Sequence, residues 1–154
     1  MIKSLLLVIL LVSLTGSQSI TPYYVLPVQT TQNVITSYSF LFYTDTEITS
    51  NALVAVTFPF EFSPNALTQV SRVRYLTNGT VLQNATYSLN DYTFSIQVQQ
   101  IAIGNITIVI DGVLNPPDYT TSSFFTVETR FKNVAVTSNS QFARVPFTVA
   151  PGKI

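Results

Sequence analysis

Thr93-Phe94-Ser95-Ile96-Gln97-Val98-Gln99 is the stretch on which the reading of the fold turns. Phe94, Ile96 and Val98 alternate with polar Thr93, Ser95, Gln97 and Gln99, and a period of two puts one set on each face of an extended chain. The segment is a half-buried strand. The rhythm returns in Tyr38, Phe40 and Phe42 against Ser37 and Ser39, and in Ile106, Ile108 and Ile110 against Asn105, Thr107 and Asp111. It returns again in Val145, Phe147 and Val149 against Arg144, Pro146 and Thr148. Leu53 to Phe58, Val70 to Thr77, Thr80 to Leu89 and Ser122 to Phe131 are rich in β-branched or aromatic residues and read as further strands. No segment shows helical periodicity.

Turn signals separate these runs: Thr44-Asp45-Thr46-Glu47, Ser63-Pro64-Asn65, Asn90-Asp91, Asn115-Pro116-Pro117-Asp118 and Thr137-Ser138-Asn139-Ser140. Asn78-Gly79 fits a two-residue hairpin turn, whose two central residues need positive φ. Eight or nine short strands without helices predict an all-β fold, an immunoglobulin-like antiparallel β-sandwich, with an eight-stranded jelly roll as the alternative. With no internal repeat and no linker, the chain after its leader is a single domain.

The 154 residues include no Cys, His or Trp and carry seven basic and seven acidic side chains. Without His or Cys the common triads, thiol nucleophiles, zinc sites and haem ligation are excluded. Charge this sparse and balanced forms no basic surface for nucleic acid. The expectation is a non-enzymatic protein with no cofactor and no metal.

Met1-Ile2-Lys3-Ser4 followed by the apolar run Leu5 to Leu14 and the small residues around Ser17 and Ser19 has the form of a secretory signal. The run is about half of the roughly 20 residues a membrane span requires. Cleavage is expected between Ser19 and Ile20, with Ser17 the alternative, so that residues 1–19 are the signal and 20–154 the module. The loss of Lys3 leaves six basic residues against seven acidic ones, and no membrane insertion is expected after cleavage. Such a chain is secreted, to the extracellular space or the cell surface. Without disulfides its stability must come from packing alone.

The carboxylates Asp45, Glu47, Glu61, Asp91, Asp111, Asp118 and Glu128 read as solvated turn and edge charges, and Asp45, Glu47 and Asp118 lack the ligand spacing of a calcium loop. Lys132-Asn133 reads as a surface loop rather than a cross-link. Three acceptor sequences for N-linked glycans occur, at Asn78, Asn84 and Asn105. Strand phase places Val81, Ala85, Tyr87 and Leu89 inward, which turns Asn84 and Thr86 outward, and Asn105 points outward opposite Ile106.

Residues 20–29 stand apart. Tyr24, Leu26 and Val28 lie on one face and Tyr23, Val25 and Pro27 on the other, so both faces are largely apolar and want cover. The segment is expected to link neighbouring subunits by adding to an open sheet edge. The competing reading makes it the first strand of its own sandwich.

Five pieces of sequence, taken in order, carry a resemblance. They are Thr36-Ser37-Tyr38-Ser39-Phe40-Leu41-Phe42-Tyr43-Thr44, Ala55-Val56-Thr57-Phe58-Pro59, Ile108-Val109-Ile110-Asp111-Gly112-Val113-Leu114-Asn115-Pro116, Thr121-Ser122-Ser123-Phe124-Phe125-Thr126-Val127-Glu128-Thr129 and Val149-Ala150-Pro151-Gly152. The set resembles the immunoglobulin-like repeat modules of large secreted and surface proteins of ciliates and other protists. Many such modules contain Cys and occur in tandem, whereas this sequence has one copy and no Cys. The chain is also similar to subunits of glycan-coated extracellular fibrils from freshwater microorganisms. The resemblance implies an extracellular structural or adhesive role without enzyme activity. The expected function is a secreted, glycosylated subunit of a head-to-tail fibril or surface coat, its partners being copies of itself. The alternative is a monomeric carbohydrate-binding or adhesion module using Tyr23, Tyr43, Tyr92 or Tyr119 as stacking platforms.

Overall fold

A computed structural model describes residues 19–77, 81–132, 134–137 and 139–152. The expected signal up to residue 18, the Asn78-Gly79 turn with its acceptor site, and Asn133 lie outside the described residues. The fold is all-β and antiparallel. Its elements are β1 (Ile20–Pro27), β2 (Ile35–Thr44), β3 (Ala52–Thr57), α1 (Pro64–Thr68), β4 (Arg72–Thr77), β5 (Gln83–Asn90), β6 (Thr93–Val98), β7 (Gly104–Leu114), β8 (Thr126–Phe131), β9 (Val134–Ala135) and β10 (Ser140–Gln141).

The strands form one curled sheet in the order β1-β2-β7-β4-β5-β6-β3-β8-β10, with β9 against β8. The curl has a local cause in β5. Its residues Gln83 to Ala85 pair with β4 and its residues Thr86 to Asn90 pair with β6, so the strand belongs to both halves and the sheet turns along it. At the other margin the Ser140 hydroxyl donates to the carbonyl of Ile20 and draws the first and last strands together.

Between the halves lies an aromatic core. Tyr38, Phe40 and Phe42 of β2 are fully buried, as are Phe94 and Ile96 of β6 and Ile106, Ile108 and Ile110 of β7, matching the alternation of each segment. Phe58 sits at the centre, edge-on to Phe62 at 5.0 Å, Phe125 at 5.2 Å and Phe94 at 5.6 Å between ring centroids. Edge-to-face stacking sets the positive rim of one ring on the negative face of the next. The Tyr38 hydroxyl donates to Asn115 Oδ1, and Asn115 Nδ2 donates to the carbonyls of Gln29 and Thr31, which ties the β1–β2 connection to the end of β7. Burial pushes the Tyr38 phenol well above its ordinary pKa.

Four expectations need correction. Ser63-Pro64-Asn65 opens a helix rather than a simple turn: Ser63 Oγ accepts from the Ala66 N–H and Pro64 occupies the first turn. Five residues are too few to show a helical period. The strand predicted from Thr80 to Leu89 has no well-buried face: Ala85 and Leu89 are half-covered, while Val81 and Tyr87 are exposed, because a strand at the bend belongs to both halves of the sheet and turns neither face squarely to the core. Val145 to Val149 forms isolated bridges only, Pro146 to Thr121 and Thr148 to Thr31, although Val145 and Phe147 are buried as their phase requires. The strand predicted from Ser122 begins at Thr126, where pairing with Thr57 starts.

Candidate functional site

The pairing registers define two rims. Ile20 faces Thr44 and Thr44 faces Gly104, so the chain enters at the rim where β2 ends and β7 begins. Ile35 faces Leu114 at the opposite rim, and there the Thr148 N–H donates to Thr30 while Thr148 accepts from the Gln32 N–H. The two ends of the described chain therefore lie at opposite rims. The entry rim exposes Val81, Leu82, Ile103, Phe131 and Val134, the last 67% accessible. The exit rim exposes Val28 at 75%, Phe60 at 66%, and Ile35, Tyr119, Phe124 and Val149. Singly exposed apolar residues are ordinary, but contiguous groups mark contact surfaces.

Local structure presents these side chains. Phe60 leaves β3 before α1 and meets Tyr119 edge-on at 6.2 Å. The Phe124 ring carries the Arg144 guanidinium 4.9 Å above it. On the entry rim Asp45 accepts from the Ser19 N–H and hydroxyl, both at 2.8 Å. Those bonds, the backbone one foremost, hold its carboxyl below the usual range.

The segment expected to link subunits pairs along β2 of its own chain, and no strand among the described residues covers its other edge. A register shift between Pro22 and Tyr24 breaks the alternation. Val25 and Ile20 are buried in the chain's own core, while Tyr23, Tyr24, Leu26 and Val28 are exposed. The apolar cover expected on both faces is present on one only. Pro22 and Pro27 lack N–H groups and suit an edge.

Asn84 on β5 and Asn105 on β7 are both exposed; for Asn105 this is the orientation that strand phase predicts, whereas Asn84 lies on a strand with neither face well buried. Tyr23 on β1 and Tyr119 in the β7–β8 connection are exposed, whereas Tyr43 and Tyr92 are half-buried.

Two carboxylates are not the solvated edge charges the sequence reading made them. Asp111 is buried and accepts from Ser37 Oγ at 2.6 Å, from Arg72 Nε at 3.0 Å and from Arg74 Nε and Nη2 at 3.1 and 3.0 Å. Desolvation raises its pKa, but the bonds from Ser37, Arg74 and Arg72 outweigh it and the carboxyl lies below its ordinary value. Glu61 is also buried. Its Oε1 accepts from the Ser123 N–H and hydroxyl, and its Oε2 has no hydrogen-bond partner among the described residues. Sequence could not reveal either, since the partners lie 37 to 74 positions away. Asp45 and Asp118 follow opposite ends of the β2–β7 pair, and no group of three metal-ligating side chains occurs among the described residues.

No family model matches the sequence and no curated protein matches it. Among solved structures the chain is similar to one described as the crystal structure of BslA, a bacterial hydrophobin, with a TM-score of 0.43 and 14% identity over 87% of this chain and 100% of that one. A likeness that distant assigns no function.

Proposed function

We propose that this chain is a secreted, N-glycosylated structural subunit that assembles head to tail with copies of itself into an extracellular fibril or surface coat. The observation that carries the reading is that two opposite rims of the sheet each bear exposed apolar side chains. A contact between unlike rims is heterologous and leaves a free rim at each end of any oligomer, so it propagates into a filament. The open edge of β1, with Tyr23, Tyr24, Leu26 and Val28, lengthens that contact, and Val25 stays in its own core. Those four large apolar side chains at about 1.5–3 kcal/mol each give a gross gain comparable with an association cost of about 4–15 kcal/mol. A durable fibre therefore needs both a rim and the strand edge.

The finer fold reading is an immunoglobulin-like sandwich. It is supported by the order β1-β2-β7-β4 in one half and β3-β8-β10 in the other, which is the arrangement of strands A, B, E, D and C, F, G. In that reading β5 and β6 are a hairpin inserted between D and E that extends the second half beside β3.

The second reading, a monomeric carbohydrate-binding or adhesion module, is favoured by the exposed Phe60–Tyr119 pair. Light scattering on the secreted protein separates the two. Mass that grows with concentration supports the subunit, and a monodisperse monomer at high concentration supports the binding module.

A further inference from the structure

Where β5 passes from β4 to β6, the departing sheets leave two shallow hollows of about 330 and 300 Å³. The first is lined by Asn84 together with Tyr75, Gln83 and Gln99; the second by Leu53, Ser88 and Ser95. Thr86 and Gln97 line both, so the two form one trough that starts at Asn84. The hydroxyl of Thr86 donates to Gln97 Oε1 at 3.3 Å across its floor. Volumes of this size lie at the lower end of small-ligand sites. The register sets Thr86 opposite Gln97 and Gln97 opposite Leu53, with Ser88, Ser95 and Ala55 forming the next row.

We propose that this trough is the seat of the glycan carried by Asn84, whose first N-acetylhexosamine and the sugar after it lie along β5 and β6 instead of standing free in solvent. The inference rests on the N-glycosylation part of the proposed function. A pyranose offers an apolar C–H face and a rim of hydroxyl and acetamide groups. The trough offers a matching surface, with Leu53 on its floor and the hydroxyls and amides of Thr86, Ser88, Ser95 and Gln97 around it. Attachment at Asn84 places the sugar at the mouth of the trough without any loss of translational freedom, which is why a shallow site suffices. A hollow of similar size lined by Glu47, Ile48, Thr49, Phe131 and Val136 contains no acceptor asparagine. Asn105 lines none of these three hollows. A seated glycan also covers β5, the most exposed of the long strands.

The full chain, secreted from eukaryotic cells, provides the test. Site occupancy is read by mass spectrometry, and release of each glycan from the native protein by a peptide N-glycosidase is followed in time. The expected result is release from Asn84 about tenfold slower than from Asn105, the factor to which 1.4 kcal/mol of seating corresponds, with equal rates after denaturation. Ser95→Tyr, which fills the trough, and Gln97→Ala, which removes a partner without adding bulk, should each bring Asn84 toward the rate of Asn105. Equal native rates with Asn84 occupied, or a slow rate that neither variant changes, overturn the seat and leave the glycoprotein reading standing. An unmodified Asn84 beside a modified Asn105 also overturns the seat alone, whereas unmodified Asn78, Asn84 and Asn105 overturn both.

Discussion

β1 and β2 lie side by side with similar apolar content, yet they meet different fates. Every second residue of β2 from Thr36 to Thr44 is buried, including the fully buried rings of Tyr38, Phe40 and Phe42, whereas β1 buries only Ile20 and Val25 and shows Tyr23, Tyr24 and Leu26 to solvent. The difference is one of position: β2 is paired on both edges, by β1 and β7, and β1 on one. Hydrophobic content in the sequence thus divides into a part that makes the monomer stable and a part left over at an edge and two rims. Substitutions in the first part should change folding, and substitutions in the second should change association alone.

The largest effects belong to the core. Phe40→Ala, Ile108→Ala and Phe147→Ala should each lower stability by about 2–5 kcal/mol, since each removes buried area and leaves a cavity. Gln97→Ala, on the outward face of β6, should be nearly neutral. Denaturant melts check the set, and equal losses for Phe40→Ala and Gln97→Ala would show the inward and outward faces to be wrongly assigned.

Next comes the backbone that lets β2 and β7 pair along their length. Gly112 has φ of +94° where the register shifts between Thr36 and Ser37, and a Cβ there would lie 3.1 Å from the Gln69 carbonyl oxygen and the Ser71 nitrogen. Both the conformation and the neighbouring backbone oppose a side chain. Gly112→Ala should cost about 1–3 kcal/mol, whereas the same change at Gly152, where an added Cβ meets no atom within 4 Å among the described residues beyond its chain neighbours, meets only the conformational part. Unfolding midpoints of the two variants give the comparison.

Smaller again is the charged cluster on the outer face of the same strands. Because the folded Asp111 carboxyl titrates below its ordinary value of 3.8, its contribution is fully present above that pH and is lost as the pH falls through the folded value. Asp111→Asn should cost about 1 kcal/mol at neutral pH, and its gap from the unsubstituted protein should close in melts taken progressively below pH 3.8. A gap that stays constant through that range would mean that Asp111 acts by packing rather than by charge.

Much of the fold was legible, for a plain reason. Where a strand has one buried face, alternation records it directly, and the phases read at Phe94, Ile96 and Val98, at Ile106, Ile108 and Ile110, and at Tyr38, Phe40 and Phe42 are those observed. The same phase turned Asn105 outward. β5 misled because the face rule assumes a strand that stays within one half of the sheet, and this strand pairs in both. α1 went unseen because a capping serine and a proline start it rather than a periodic stripe. The rims were illegible because they depend on which strand ends register together, a property of the whole topology, and the burial of Asp111 and Glu61 depends on partners far away in the chain.

The smallest effect on the monomer and the most direct bearing on assembly come from the same side chains. Phe60 and Val134, at opposite rims, are both largely exposed, so Phe60→Cys and Val134→Cys should each change stability by no more than about 0.5 kcal/mol. With no native cysteine to interfere, each thiol reports one rim. A short thiol-reactive cross-linker should convert the Phe60→Cys/Val134→Cys double variant into a ladder of covalent dimers, trimers and longer species, while each single variant stays monomeric on a denaturing gel. Dimers from either single variant would mean that like rims meet, and monomers from the double variant would mean that the rims do not meet at all; both contradict head-to-tail assembly.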